Sequence, residues 1–484
     1  MSTILDLEPK SLWHYFHQLT QIPRPSHHEE AVQQFVLDEA TRLGLDAERD
    51  AAGNIRVRKA ASPGKEGWPG VILQAHLDMV PQKNGDKVHD FTKDPITTIV
   101  GDDGWVRADG TTLGADNGLG VAAILAVLAD ERLIHPPLEA LFTASEETGM
   151  TGAKGLQGGW LNGKYLINLD YEEEGELCIG CAGGLDGSYT LPFACETVAL
   201  PGYRLTVRGL KGGHSGVDIH KKRGNAIKIL TEALFALGVE HIADIHGGDL
   251  RNAIPREAEA LIALPDGNAE AACATLQTLA DRIKQDLNAD DQGLVFALEA
   301  AQPLASIIAP ADTRRLLAAL RDLPNGIDAM SESMPGLVET STNLASIRCQ
   351  HDGARGELHL HCLLRSSNND GKKALAERMA AVIEQAGGSA HYDGDYGGWL
   401  PLPESALVRA LVQSGEAVYG HKPPLKAIHA GLECGILAEN YPLWQMIAFG
   451  PTIESPHSPD ERAHIESTAR FYQWLIASLG TLAA

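Results

Sequence analysis

The sequence predicts an α/β fold: a catalytic domain with a mostly parallel mixed sheet flanked by helices, plus an inserted α+β domain. Three observations carry this expectation. Short apolar runs at residues 71–75, 138–143 and 165–169 alternate with helical segments, the pattern of a sheet covered on both faces. The texture changes from about Asp186, where alternating strands and long amphipathic helices take over. At 484 residues the chain is also too long for one comfortable core. The domains are accordingly set at 1–186 and 399–484 for the catalytic part and 187–398 for the insert.

The elements follow in order. Residues 26–43 read as a helix, with Ser26 and Glu29 at capping-box spacing, an apolar face of Val32, Phe35, Val36, Ala40 and Leu43, and Gly44 as the stop. Residues 45–50 and 54–59 form a hairpin around Ala-Ala-Gly. The three apolar runs are buried strands, and residues 118–128 are an Ala/Leu/Val-rich helix between the first two. In the insert, residues 203–209, 258–264 and 294–298 are strands, and 225–237 and 269–287 are helices. A similar order recurs over 311–387, so the insert reads as two related halves without a clear repeat. Residues 394–403 cross back. The tail then supplies a strand at 443–449, a loop carrying His457 and a closing helix over 459–479. Ser458-Pro459-Asp460-Glu461 reads as the start of that helix, with a cap, Pro at N1 and acids in the first turn.

The balance of 40 Lys+Arg against 64 Asp+Glu gives a formal charge of −24, which disfavours nucleic acid and anionic membrane surfaces as partners. No apolar run reaches the ~18 residues of a transmembrane helix, and the first residues lack signal-peptide features. Seven scattered cysteines make no disulfide framework, so a cytoplasmic location is expected. Cys178 and Cys181 form a lone C-x-x-C, for which a structural role outweighs zinc or redox chemistry.

Polar residues cluster directly after the apolar strands, where open α/β sheets bind ligands. His76 and Asp78 follow the first strand on one face, an arrangement in which the carboxylate fixes the imidazole tautomer. Alone, H-x-D is equally a surface pair. Asp116 sits in Gly114-Ala115-Asp116-Asn117-Gly118 before a helix, which alone is better read as a turn and N-cap. Ser145-Glu146-Glu147 follows the second strand; two adjacent carboxylates there call for a cation, one binding it and one left as base. Asp170 ends the third strand, next to an acidic run that could simply be solvated. His457 lies between Pro456 and Pro459. Two imidazoles and three carboxylates suit zinc, with manganese or cobalt able to substitute. Five ligands and a spare Glu point to two ions sharing a carboxylate, roughly 3.5–4 Å apart.

These motifs in this order resemble the co-catalytic zinc peptidase superfamily of aminoacylases, carboxypeptidases and dipeptidases. Gly212-Gly213-His214-Ser215-Gly216 belongs to the same pattern. Within that superfamily the branch of aminoacyl-histidine dipeptidases (peptidase D, Xaa-His dipeptidases) is the nearer likeness. It is carried by Gln74-Ala75-His76-Leu77-Asp78-Met79-Val80, Lys211-Gly212-Gly213-His214-Ser215-Gly216, Asn252-Ala253-Ile254-Pro255-Arg256, Gly431-Leu432-Glu433-Cys434-Gly435 and Ser455-Pro456-His457-Ser458-Pro459. The resemblance spans essentially the whole chain.

The resemblance implies that the insert is a lid and that the protein is a homodimer through it. It implies that Asp116 bridges two Zn2+ ions, with His76 and Asp170 at one and Glu147 and His457 at the other. It assigns Asp78 to orienting His76 and Glu146 to general base. It places a cis peptide after Asp116. It also makes His214 an oxyanion donor, from its own chain or a partner subunit. The expected activity is hydrolysis of unblocked dipeptides, including Xaa-His, by a metal-bridging hydroxide. Arg365, at a strand end, could pair with a substrate carboxylate. Glu433, beside glycines, could receive the free amine or a metal-proximal group. An aminoacylase, tripeptidase or carboxypeptidase would use the same centre, and a non-catalytic peptide- or metal-binding protein is the reading from another class.

Overall fold

The strands Val71–His76, Leu138–Thr143 and Tyr165–Asn168 run parallel and adjacent in a computed structural model that describes residues 3–265 and 267–482. They form the centre of an eight-stranded sheet. Its order is Asp46–Arg49, Ile55–Lys59, Leu138–Thr143, Val71–His76, Tyr165–Asn168, Gln445–Ala448, Leu177–Cys181, Leu425–Ile428. Gln445–Ala448 continues the parallel set, whereas the first hairpin and Leu177–Cys181 pair antiparallel, so the sheet is mixed. Every residue of the three central strands is buried, which is why they read as continuous apolar runs.

The chain divides into two compact units, one of residues 1–181, 399–427 and 432–484 and the other of residues 182–398 and 428–431. In the first, the helix Ala115–Ala129 is buried almost all round and packs on the helix Lys10–Thr20 and on the Val71–His76 strand. The second is built on a 26-residue strand, Gly183–Arg208. It pairs antiparallel with Arg355–Ser366 and Ser389–Tyr396 along its first part, and with Ala258–Ala263 and Val295–Ile308 along its second. The helices of this unit, such as Ala226–Ala236 and Asn369–Gln385, bury Ile227, Leu230, Leu375 and Met379 in the same core as the strand residues Leu205, Val207, Leu344 and Leu360. Among the described residues no helix is long and apolar enough to cross a membrane, and no disulfide forms.

Two predicted helix starts are displaced. The first helix spans Glu30–Arg42 rather than beginning at Ser26, because the Ser26 hydroxyl donates to Asp78 Oδ2 (2.8 Å) instead of capping. The Glu29 carboxylate likewise turns away, accepting from the Ser145 amide (2.8 Å) and hydroxyl (2.6 Å). The closing helix spans Ile465–Thr481, not 459–479. Residues 455–461 are instead the loop of a short hairpin, Ile453–Glu454 with Arg462–His464, which pairs onto Trp105–Ala108. Ser26, Glu29 and Glu461 are thus spent on other loops, whereas the Ser458 hydroxyl accepts the Asp460 N–H (3.1 Å) within its own turn.

The closing helix is held by Trp474, fully buried, whose indole N–H reaches the Leu411 carbonyl (3.1 Å) and Ser414 Oγ (3.2 Å). Its ring lies 4.5 Å from that of Phe449 and 5.3 Å from that of Tyr419. Trp474→Ala should therefore cost about 3–5 kcal/mol of unfolding free energy, read from the denaturant midpoint. A loss under ~1 kcal/mol would show that the helix is anchored elsewhere.

Candidate functional site

Parallel strands end on one edge of a sheet, and the loops leaving the three central strands carry polar residues to that edge. His76 ends the first strand and stands opposite Thr143 in the register. Residues 145–147 leave the second strand, with Ser145 in the left-handed region at φ 49. Asp170 leaves the third. Asp116 lies at the start of the helix Ala115–Ala129 with non-helical backbone, and its peptide bond to Asn117 is cis, as the resemblance implied. Gly114 precedes it at φ 71, and an added Cβ there would stand 2.6 Å from the Arg24 guanidinium, so the position admits only glycine. His457 comes from the hairpin loop at φ 60, a region that non-glycine residues rarely occupy outside constrained sites.

These side chains meet around Asp116. One of its oxygens, Oδ1, lies 3.0 Å from His76 Nε2, and the other, Oδ2, lies 3.2 Å from His457 Nε2. Each imidazole nitrogen faces a second carboxylate: His76 Nε2 is 3.3 Å from Asp170, and His457 Nε2 is 2.9 Å from Glu147. Ligand atoms of His76, Asp116 and Glu147 all lie within 4.8 Å of one another.

Asp78, with no exposed surface, organises the surroundings. Its Oδ1 is 3.3 Å from His76 Nδ1, which leaves Nε2 to face Asp116. The same carboxylate accepts the backbone N–H groups of Glu146 (3.0 Å) and Glu147 (3.2 Å) and the Ser26 hydroxyl. Asn117 fastens Asp170 by donating to its carboxylate and to the Leu169 carbonyl.

The electrostatics follow from crowding. Burial pushes the Asp78 carboxyl up, but His76, Ser26 and the Glu146 amide outweigh it and hold it down at about 2. Burial pushes Asp170 up to about 6, with Asp116 adding to the rise and His76 opposing it. Asp116 is also penalised by burial, yet the two imidazoles take it below the usual carboxylate range. The Asp116 and Glu147 carboxylates lift His457 to about 11. Glu146 stands well above the usual range, through burial first and then Asp170, Glu433 and Glu147, with His76 opposing. Negative charge is thus concentrated beyond what the local cations neutralise.

The donor set fits metal. A tetrahedral site with ~2.0–2.1 Å bonds has ligand-to-ligand edges of about 3.3 Å, and the four imidazole-to-carboxylate distances above run from 2.9 to 3.3 Å. Glu147 Oε1 is moreover buried without a hydrogen-bond partner, which is costly for an ionised oxygen unless a cation faces it. His76, Asp116, Asp170, Glu147 and His457 could therefore hold metal. Cys178 and Cys181 are buried at the end of their strand and belong to no such cluster among the described residues.

The Glu433 carboxylate has one oxygen, Oε1, buried without a hydrogen-bond partner. It has no exposed surface, and its Oε2 accepts from Gln74 Nε2 (2.6 Å) and Thr143 Oγ1 (2.7 Å). Gln74 is bonded in turn to Asn168 (2.5 Å), which makes a polar ladder across the central strands behind His76.

His214 and Arg365 belong to the second unit. His214 pairs with Ala253 in a two-stranded ladder, which joins the two glycine- and asparagine-bearing motifs. Its Nδ1 accepts the N–H groups of Gly216 (3.2 Å) and Val217 (3.1 Å), so the proton resides on Nε2. Burial, then Arg365, lowers its pKa and keeps the ring neutral. Arg365 is 5% exposed, its Nε is without a partner, and Nη1 lies 3.5 Å from the Tyr396 hydroxyl. Sequence reasoning passed over Ser26 as a site residue, Asn117, Arg24 and Glu461. Asn117 was legible only as the neighbour of Asp116, and the others carry no local signal of their role.

Comparison with known proteins agrees over the full length. The model of peptidase family M20/M25/M40 matches residues 72–479. The chain is 42% identical over 491 residues to the cytosol non-specific dipeptidase of Escherichia coli (strain K12), covering 100% of each. The crystal structure of an aminoacylhistidine dipeptidase from Vibrio alginolyticus superposes with a TM-score of 0.93 at 44% identity, over 99% of this chain and 98% of that one. A tripeptidase from Staphylococcus aureus shares the fold, with a TM-score of 0.58 at 17% identity over 99% of both chains. The chain belongs to peptidase family M20/M25/M40 and is a metal-dependent peptidase.

Proposed function

We infer that the protein is a cytoplasmic dipeptidase that hydrolyses unblocked dipeptides, Xaa-His among them, with two Zn2+ ions for which Mn2+ or Co2+ can substitute. The observation that carries the reading is one carboxylate, Asp116, offering separate oxygens to two imidazoles that each face a further carboxylate. The names of two relatives, a cytosol non-specific dipeptidase and an aminoacylhistidine dipeptidase, support the substrate class and the location.

His76 and Asp170 would hold one ion, Glu147 and His457 the other, and Asp116 both. When bound, the ions supply Lewis acidity, which acidifies water and polarises a scissile carbonyl near neutral pH. Glu146 is the base: its backbone is pinned by Asp78 while its side chain, lifted well above the usual range, holds a proton readily. It takes the proton of the attacking water and passes it to the leaving amine. Asp78 fixes the His76 tautomer. His214, neutral with its proton on Nε2, donates to the oxyanion. Arg365, whose Nε is without a partner, receives the substrate carboxylate. Glu433, with its Oε1 unpartnered, receives the free amine or a metal-proximal group. The second unit is read as the lid, and a homodimer forms through it.

Two experiments test this reading. Glu146→Ala should retain wild-type metal content by elemental analysis while kcat falls about 10²–10⁴-fold; undiminished turnover, or loss of metal with it, would remove Glu146 from the role of base. Zinc-loaded protein should cleave an unblocked Xaa-His dipeptide, spare its N-acetylated form and a tripeptide, lose activity on chelation and regain it with added zinc. Cleavage of the blocked dipeptide alone would make the protein an aminoacylase, and metal uptake without any cleavage would make it a binding protein.

A further inference from the structure

We propose that Glu461 is a positioning residue that locks the backbone bearing Asp116 to the loop bearing His457, and so sets both metal positions at once. The assignment rests on the metal site inferred above. Glu461 is 2% exposed, and its two oxygens receive four consecutive main-chain donors. Oε2 accepts the N–H groups of Leu113 (2.7 Å) and Gly114 (3.0 Å), and Oε1 accepts those of Ala115 (2.7 Å) and Asp116 (3.2 Å). An ionised carboxylate has about four acceptor positions, and here main-chain groups occupy them all, so neither partner can rotate away. The donors precede and open the helix Ala115–Ala129, where a negative charge is favoured.

The side chain arrives from the same hairpin loop that carries His457, between Ile453–Glu454 and Arg462–His464. The loop with one imidazole ligand is therefore clamped directly to the loop with the shared carboxylate. The opposite side of the Asp116 loop is held as well. Arg24, fully buried, donates Nη2 to the Gly114 carbonyl (2.5 Å) and Nη1 to the carbonyls of Leu77 (2.9 Å) and Asp78 (3.0 Å), at the strand end that presents His76. Glu461 takes the N–H side of the loop and Arg24 its carbonyl side. His457, Asp116 and His76 are thus joined through two buried charged side chains that none of them touches with its own ring or carboxylate.

This arrangement has a consequence that packing alone would not produce. Metal–ligand distances are tolerated only within about 0.2 Å. Slack between the Glu461 loop and the Asp116 loop displaces Asp116 against both imidazoles, whereas a fault at Asp170 or Glu147 affects one position. Loss of the clamp should weaken both ions together and alter their ligand geometry.

The test compares wild type with Glu461→Gln, which preserves size but turns an amide NH2 towards donors that need an acceptor. Both are loaded with Co2+, and bound cobalt per chain, cobalt affinity, the visible absorption spectrum, kcat and KM are measured. Wild type should take up two cobalt ions. E461Q should bind both at least about tenfold more weakly, with altered visible bands and a kcat reduced by about tenfold or more at little-changed KM. Two cobalt ions bound with wild-type affinity and spectrum, with only the thermal midpoint lowered, would overturn the proposal and leave Glu461 a packing role. Should E461Q not fold, Glu461→Asp keeps the acceptors but withdraws them by one methylene. An altered cobalt spectrum in E461D would support the clamp, and an unchanged one would overturn it. Wild type that binds no cobalt would instead bring down the metal reading itself, a result visible before any variant is made.

Discussion

The two oxygens of Asp116 face two different imidazoles, and this one carboxylate constrains much of the first unit. The two histidines must approach it from different directions, one from the sheet and one from outside it. His76 comes from the end of a central strand, and His457 comes from a hairpin that pairs onto Trp105–Ala108 rather than onto the main sheet. The Asp116 backbone must then bend sharply between them. That is why Gly114 carries a positive φ with no room for a Cβ, and why His457 itself adopts φ 60. A well-formed helix start at Asp116 would have turned its side chain elsewhere.

Asp78 meets a second constraint, that of turning two adjacent glutamates in different directions. Its carboxylate holds the backbone of both, so Glu146 and Glu147 leave the strand with their directions set. Glu147 faces His457, whereas Glu146 sits in the field of His76, Asp170, Glu433 and Glu147. The fixed backbone suits the proposed division, in which Glu147 binds and Glu146 keeps its proton affinity. Burying an ionised Asp78 completely is costly, and its bonds to an imidazole, a hydroxyl and two amides offset that cost.

How far the sequence discloses this depends on the range of each interaction. The central strands were legible because a strand covered on both faces must be apolar throughout, and Leu138–Thr143 appears with the expected bounds. The polar residues just beyond them were legible because strand ends are where such sheets place ligands. Ser26 and Glu461 were misread for a shared physical reason. A serine or an acid near a helix start has a local explanation, and local pattern always favours it over a partner far along the chain. Ser26 donates to Asp78, and Glu461 serves donors some 345 residues earlier, which no spacing rule can see. Of the single 26-residue strand of the second unit only the end, residues 203–209, was read as a strand, since its burial pattern alternates only over stretches.

Every atom proposed to hold metal comes from the first unit, and so do the groups that fix those atoms: Asp78, Asn117, Arg24 and Glu461. Two groups proposed to meet the substrate, His214 and Arg365, come from the second. The division has a chemical logic. Metal ligands need tolerances of a few tenths of an ångström, and a closed hydrogen-bond network around one sheet edge can supply them. Substrate groups must admit and release a molecule, so a guanidinium with an unpaired Nε and an imidazole fixed in one tautomer serve better on a separate scaffold. Gly216 shows how tightly that scaffold is set: a Cβ there would lie 2.1 Å from the His429 carbonyl and 3.1 Å from Arg365 Nε. The second unit holds its polar groups by backbone contact, as the first holds its ligands by buried charge.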